Sequence, residues 1–202
     1  MMDRKQFLVT STLAAFSLSA FGKVSLDENN QFAGDCETTN DILGPFYRPK
    51  APIRKDMLFE GLKGNRISIV GKVYTDDCKT VLEDALVEVW HCDTEGNYDN
   101  KSSKMLHRAR WVTDKKGNYA FDTIIPGKYL NGKLYRPSHI HFRVSCAGHQ
   151  ELISQIYFAG DPHITEDPWA SQKKAEHRIL SLNPVNIKGG LEVNFDIFLK
   201  KK

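Results

Sequence analysis

No Cys-x-x-Cys pair occurs anywhere in this 202-residue chain, so its four cysteines offer no zinc-ribbon spacing. No basic stripe interleaved with aromatics is present either, and the net charge is only +3, which argues against a nucleic-acid partner. The terminal Lys200-Lys201-Lys202 reads as a solvated tail. No internal repeat recurs and nothing marks a second domain. Helical patterning is nearly missing: Glu166 to Leu182 holds the one candidate, best placed at Trp169 to Arg178. The long uncharged apolar run, Phe7 to Phe21, is too short to span a bilayer.

That run instead has the shape of a secretory signal over residues 1–22, preceded by the charged Asp3-Arg4-Lys5-Gln6 and containing small residues at Ser17 and Ser19. Arg4-Lys5-Gln6-Phe7-Leu8 is twin-arginine-like, with lysine in place of one arginine. The expectation is an exported protein, periplasmic or extracellular, with no stable membrane insertion once the signal is removed. In an oxidising compartment Cys36, Cys78, Cys92 and Cys146 can supply one or two disulfides, and their spacing does not choose among the pairings. Residues 23–42 read as an extended polar arm, and residues 43–202 as the globular domain. With 41% hydrophobic and 10% aromatic residues, that domain has enough to bury a core.

Period-two alternation dominates what is there. Ile67 to Thr75, Ala85 to His91, Asn118 to Ile124, His139 to Cys146, Glu151 to Phe158 and Leu191 to Leu199 read as strands, separated by Gly-, Asp- and Pro-containing turns. Short strands with little helix predict an all-β, antiparallel β-sandwich. Within it, Arg136-Pro137-Ser138-His139-Ile140-His141 stands out. Alternation sends Ile140, Phe142 and Val144 to an apolar face and both histidines to the other, about 7 Å apart along the strand and able to converge on one metal ion. Tyr98 and Tyr129 each close a glycine-marked turn, Glu95-Gly96-Asn97-Tyr98 and Pro126-Gly127-Lys128-Tyr129. A phenolate is a hard anionic ligand that suits ferric iron better than zinc. His91, beside Trp90, reads as a packed, hydrogen-bonded side chain.

Taken in order, Gly44-Pro45-Phe46-Tyr47, Val87-Glu88-Val89-Trp90-His91-Cys92-Asp93, Gly96-Asn97-Tyr98, Val112-Thr113-Asp114, Ile125-Pro126-Gly127-Lys128-Tyr129, Arg136 to Phe142 and Gln155 to Pro162 resemble the intradiol ring-cleavage dioxygenases. That group includes protocatechuate 3,4-dioxygenase and catechol 1,2-dioxygenase. The resemblance implies that Tyr98, Tyr129, His139 and His141 are the ligands of Fe(III). It implies that Arg136 stabilises substrate as it gains carbanion character, that Gln155 is a polar neighbour of the metal, and that Tyr47 walls the substrate pocket. It further implies that Tyr129 leaves the metal when substrate binds and acts as a base. The reaction implied is attack of O2 on a catecholic ring and opening between the hydroxyl-bearing carbons, giving a muconate-type dicarboxylate. Arg136, permanently charged, suits an anionic aromatic substrate.

Larger members of that group carry an N-terminal helical region that builds their dimer, and the interval before Leu43 leaves no room for one, so that dimer is not expected. A homo-oligomer remains open. The short interval from Tyr98 to Tyr129 predicts an abbreviated pocket lid, suited to a bulky or tethered catechol. Two other readings compete with the enzyme: a secreted, non-catalytic transthyretin-like sandwich that binds a partner, and a zinc or copper protein using only the histidines.

Overall fold

The computed structural model describes residues 24–26, 32–34, 36–185 and 190–202. The expected signal segment, residues 1–22, lies outside them. A short ribbon comes first, β1 (Val24–Leu26) paired with β2 (Phe32–Gly34). The sandwich strands follow as β3 (Arg66–Thr75), β4 (Leu86–Trp90), β5 (Arg108–Val112) and β6 (Asn118–Ile124). A hairpin, β7 (Tyr129–Asn131) and β8 (Leu134–Arg136), leads into β9 (His139–Ser145) and β10 (Leu152–Phe158). A six-residue 3-10 helix, Lys173–Arg178, precedes β11 (Ile179–Leu180), β12 (Asn183–Val185), β13 (Gly190–Asn194) and β14 (Ile197–Leu199).

Two five-stranded sheets result. One runs β11-β10-β9-β4-β5; the other groups β12, β13, β14 and β6 around β3. The main pairings are antiparallel, as the alternation predicts, while β11 on β10 and both β13 and β14 on β3 are parallel. The sheets press together through the apolar sides of their strands. Val87, Val89, Ile140, Phe142, Val144 and Ile156 from one meet Ile67, Ile69, Phe121, Val193, Phe195 and Leu199 from the other, all fully or almost fully buried.

The register decides where the chemistry goes. Across β4, β9 and β10, Val89 faces Phe142 and Ser154, whereas Trp90 faces His141 and Gln155, and His139 faces Tyr157. Odd-numbered residues of β9 therefore stand on the outer face of the sheet, away from the sandwich core. Loops cover that face. Residues 36–42 dock along it and around the edge: Cys36 is disulfide-bonded to Cys78, the Thr38 amide donates to Phe198 O (3.1 Å), and the Asp41 amide donates to Ile153 O (2.8 Å). Cys92 and Cys146 are free thiols. The segment read as a helix from Trp169 is a run of turns ending in the 3-10 helix. Pro168 supplies no amide, and the Asp167 carboxylate accepts from the Trp169 and Ala170 amides (3.0 and 2.7 Å). Among the described residues, no helix is long and apolar enough to cross a membrane.

Candidate metal centre

His139 and His141 are buried on the outer face of β9, and their orientation is set by neighbours. His139 Nδ1 lies 2.6 Å from Pro137 O. A carbonyl can only accept, so Nδ1 carries the proton and Nε2 presents its lone pair outward. The His141 ring stacks on Trp90 at 4.7 Å between centroids, with 8° between planes. Both Nε2 atoms point at one oxygen: Tyr98 Oη stands 3.3 Å from that of His139 and 3.2 Å from that of His141.

Tyr98 reaches this position from a tightly closed turn. Asp93 Oδ1 accepts from the amides of Glu95 (2.9 Å) and Asn97 (2.8 Å), and Asp93 O accepts from the Gly127 amide (2.8 Å). Gly96, at φ +86°, packs so closely that a Cβ there would sit 2.5 Å from Lys128 O and 2.9 Å from Tyr129 Cβ. The two glycine-marked turns of the sequence are thus locked to each other, which brings Tyr129 beside Tyr98 with ring centroids 5.7 Å apart. Tyr129 also lies 5.6 Å from the His139 ring. The structure brings Tyr98, Tyr129, His139 and His141 into one cluster.

The donor set fits a hard, highly charged cation. Burial holds His139 down to about 4 and His141 well below its ordinary value, so both imidazoles are neutral. Burial pushes the Tyr98 phenol well above 10, and pushes Tyr129 up against the opposing influence of Arg136. His139 Nε2 presents a lone pair to Tyr98 Oη, His141 Nε2 reaches the same oxygen, and His141 Nδ1 is buried with no partner, free to carry the proton if Nε2 binds a cation. A cation at the convergence point would take a lone pair from each Nε2 while displacing phenolic protons. Among the described residues, no group of three or more His, Cys, Asp or Glu converges. The histidines alone are therefore a sparse set for zinc, and the phenols complete the site.

Arg136 and Gln155 join the cluster's edge. Arg136 pairs with Tyr129 across the β7–β8 hairpin and is fully buried. Its Nη2 donates to Gln155 Oε1 (3.2 Å) and Tyr157 Oη (3.3 Å), while Gln155 Nε2 donates to Ile42 O (2.8 Å). Gln155 neighbours His141 in the register, but its amide serves Arg136 and the loop. Tyr47 is not brought to the cluster. Its hydroxyl donates to Glu88 (3.3 Å) and accepts from Arg143 (2.6 Å), and its ring packs edge-on against Trp90. The neighbouring Phe46 is the loop aromatic that touches the cluster, stacked on Tyr98 at 4.3 Å and edge-on to Tyr129 at 5.8 Å. The sequence gives no means of choosing between adjacent aromatics in an irregular loop.

His91 is buried, with Nδ1 2.7 Å from Cys92 O and Nε2 2.7 Å from Thr123 Oγ1, in keeping with a packed role. Burial lowers it to about 3. A group depressed in the folded state stabilises the fold above its unfolded value, near 6.5, and that contribution is lost as pH falls toward 3. Urea midpoints are expected to drop over this range, less steeply in His91→Gln.

Comparison with known proteins gives the chain a family. A dioxygenase family profile matches residues 42–201. The protocatechuate 3,4-dioxygenase beta chain of Burkholderia cepacia is 32% identical over 190 residues, covering 81% of this chain and 80% of that protein. The chain belongs to the intradiol dioxygenase family. The family's chlorocatechol 1,2-dioxygenase from Rhodococcus opacus is 29% identical over 196 residues, covering 85% of this chain and 75% of that protein. Some intradiol relatives are longer: the chain spans 63% and 50% of the catechol 1,2-dioxygenases of Acinetobacter lwoffii and Candida albicans. Among solved structures, the dioxygenase domain of a dioxygenase–carbohydrate-binding fusion from a cellulolytic Streptomyces superposes with a TM-score of 0.69 at 27% identity. It covers 82% of this chain and 99% of that one. The intradiol β-sandwich fold is therefore shared, with the four-ring cluster on its outer face.

Proposed function

We propose that this intradiol dioxygenase-family protein is a non-haem Fe(III) enzyme that opens a catecholic ring between its hydroxyl-bearing carbons with O2, yielding a muconate-type dicarboxylate. The observation that carries the reading is the convergence of the Nε2 atoms of His139 and His141 on Tyr98 Oη, with Tyr129 alongside. Tyr98, Tyr129, His139 and His141 would hold the iron. Ferric iron bound there would supply Lewis acidity toward the two catechol oxygens.

The rest falls to the protein. Both imidazoles are enclosed, whereas Tyr98 and Tyr129 are only partly buried, so substrate approaches from the tyrosine side. Tyr129, if held as a phenolate by the bound ion, would take a catechol proton and come away as the neutral phenol that burial favours, and Arg136 nearby would face the anionic ring. Phe46 offers a flat apolar wall to the aromatic plane. Export is part of the same reading: the Cys36–Cys78 disulfide suits an oxidising compartment outside the cytoplasm.

Iron content, visible absorption and O2 uptake test this together, with catechol, protocatechuate, hydroxyquinol and larger catechols as substrates. The expected result is a coloured iron protein that consumes O2 in step with one of these catechols. A colourless protein that takes up no iron, and leaves O2 untouched with all of them, would sink the reading.

A further inference from the structure

Arg136 is held by more than its own strand. Its Nε donates to Asp167 Oδ2 at 2.8 Å and its Nη2 to Asp167 Oδ1 at 3.3 Å, a two-point pairing with both partners buried. The Trp169 ring covers the guanidinium, 4.4 Å from Cζ to the ring centroid. Asp167 is itself fixed: its Oδ1 accepts from the Trp169 and Ala170 amides. Gln155 Oε1 and Tyr157 Oη take the remaining reach of Nη2. Every donor corner is thereby engaged except Nη1, which is buried with no partner. None of these holders lies on β8; they come from β10 and from the turns after it.

We propose that Asp167, capped by Trp169, is the positioning residue for Arg136, committing Nε and Nη2 so that Nη1 is the one uncommitted nitrogen of a residue paired with Tyr129 across the hairpin. The inference rests on the dioxygenase reading above for the role of Arg136, but the clamp itself does not depend on it. An unclamped arginine has a flexible stem and five donors, and could fork onto any carboxylate. With Nε and Nη2 already committed, Arg136 offers an anionic atom only the two N–H groups of Nη1. A fixed donor of this kind is worth more than a mobile one, because no reorganisation is needed when charge develops.

The test is a cycle of variants in the iron-loaded full chain: Asp167→Asn, Asp167→Glu, Arg136→Gln and the Asp167→Asn/Arg136→Gln double variant. Asp167→Asn is expected to lower kcat about 10²-fold with KM little changed, as misplacement of a catalytic group does. Asp167→Glu should recover part of that loss. On the Arg136→Gln background, Asp167→Asn should cost nothing further. An equal loss on both backgrounds would overturn the proposal, since Asp167 would then act independently of Arg136. Exchange of the Arg136 Nε–H, followed by 15N NMR, gives a readout that needs no turnover. It should be slow in the parent and fast in Asp167→Asn, and equal rates would refute the clamp. If Asp167→Asn does not fold, Trp169→Leu serves in the same two measurements, with faster Nε–H exchange and a smaller kcat loss expected and unchanged values counting against the proposal. Absence of iron and turnover in the parent would remove the dioxygenase reading while the exchange experiment still judges the clamp.

Discussion

Tyr98→Phe is expected to strip the protein of most of its activity and of the visible absorption that this phenolate contributes. Losing a partner that only orients a metal ligand costs about 10- to 100-fold in affinity or activity. Tyr98 sits at the centre of the cluster, within 3.3 Å of both Nε2 atoms, so its loss should exceed that range. The change removes one oxygen and leaves the ring stacked on Phe46. The metal-free protein should lose about 1 to 3 kcal/mol of stability, because the buried His139 and His141 Nε2 atoms lose their hydroxyl partner. Iron per chain, the absorption spectrum and the melting temperature of the metal-free form separate these effects. A variant that keeps the parent's spectrum and turnover would show that Tyr98 is no ligand.

Reduction of the Cys36–Cys78 disulfide is the second large effect expected. The bond joins positions 42 residues apart, and cross-linking a loop of that size removes enough unfolded-state entropy to stabilise by about 4 kcal/mol. It also anchors the segment that carries Thr38, Thr39 and Asp41. Beyond Cys36, Arg178 holds Asp41 at 2.6 Å and Thr39 Oγ1 at 2.9 Å, and Tyr157 donates to Asp41 at 2.9 Å. The disulfide and this buried group fasten the same seven-residue stretch at its two ends, immediately before the Gly44–Tyr47 loop that delivers Phe46. Cys36→Ser/Cys78→Ser should lower the urea midpoint by an amount matching about 4 kcal/mol. A midpoint within experimental error of the parent would show that the loop is held without the bond.

Most of the sandwich is legible in the sequence because its strands alternate cleanly, as in Asn118 to Ile124, where Tyr119, Phe121 and Thr123 turn inward. Strand β5 is hidden by its own arginines. Arg108 and Arg110 occupy the outer face under loops, so Arg108-Ala109-Arg110 does not resemble a half-buried strand. The stretch from Leu191 to Leu199 reads as one strand but is two. At Phe195-Asp196 the chain turns to give its Phe195 amide to Val70 O, while Asp196 accepts from the Lys72 amide. For the metal cluster, the four rings are readable as residue types at turn and strand positions. The parts that orient them are not, because Asp167, Trp169 and Trp90 reach the site only through tertiary contacts between distant segments.

Strand β9 has two incompatible duties on alternate residues: Ile140, Phe142 and Val144 seal the interior while His139 and His141 face the cluster. A deletion or insertion of one residue between Pro137 and His141 would exchange these duties at a stroke, burying imidazoles in the sandwich and stranding isoleucine at the chemistry. Reading frame along this strand is thus inherited as a unit. The hairpin tip at Gly132-Lys133 carries no such parity: a Cβ at Gly132 would meet nothing within 4 Å, so the turn tolerates a change of length that β9 does not.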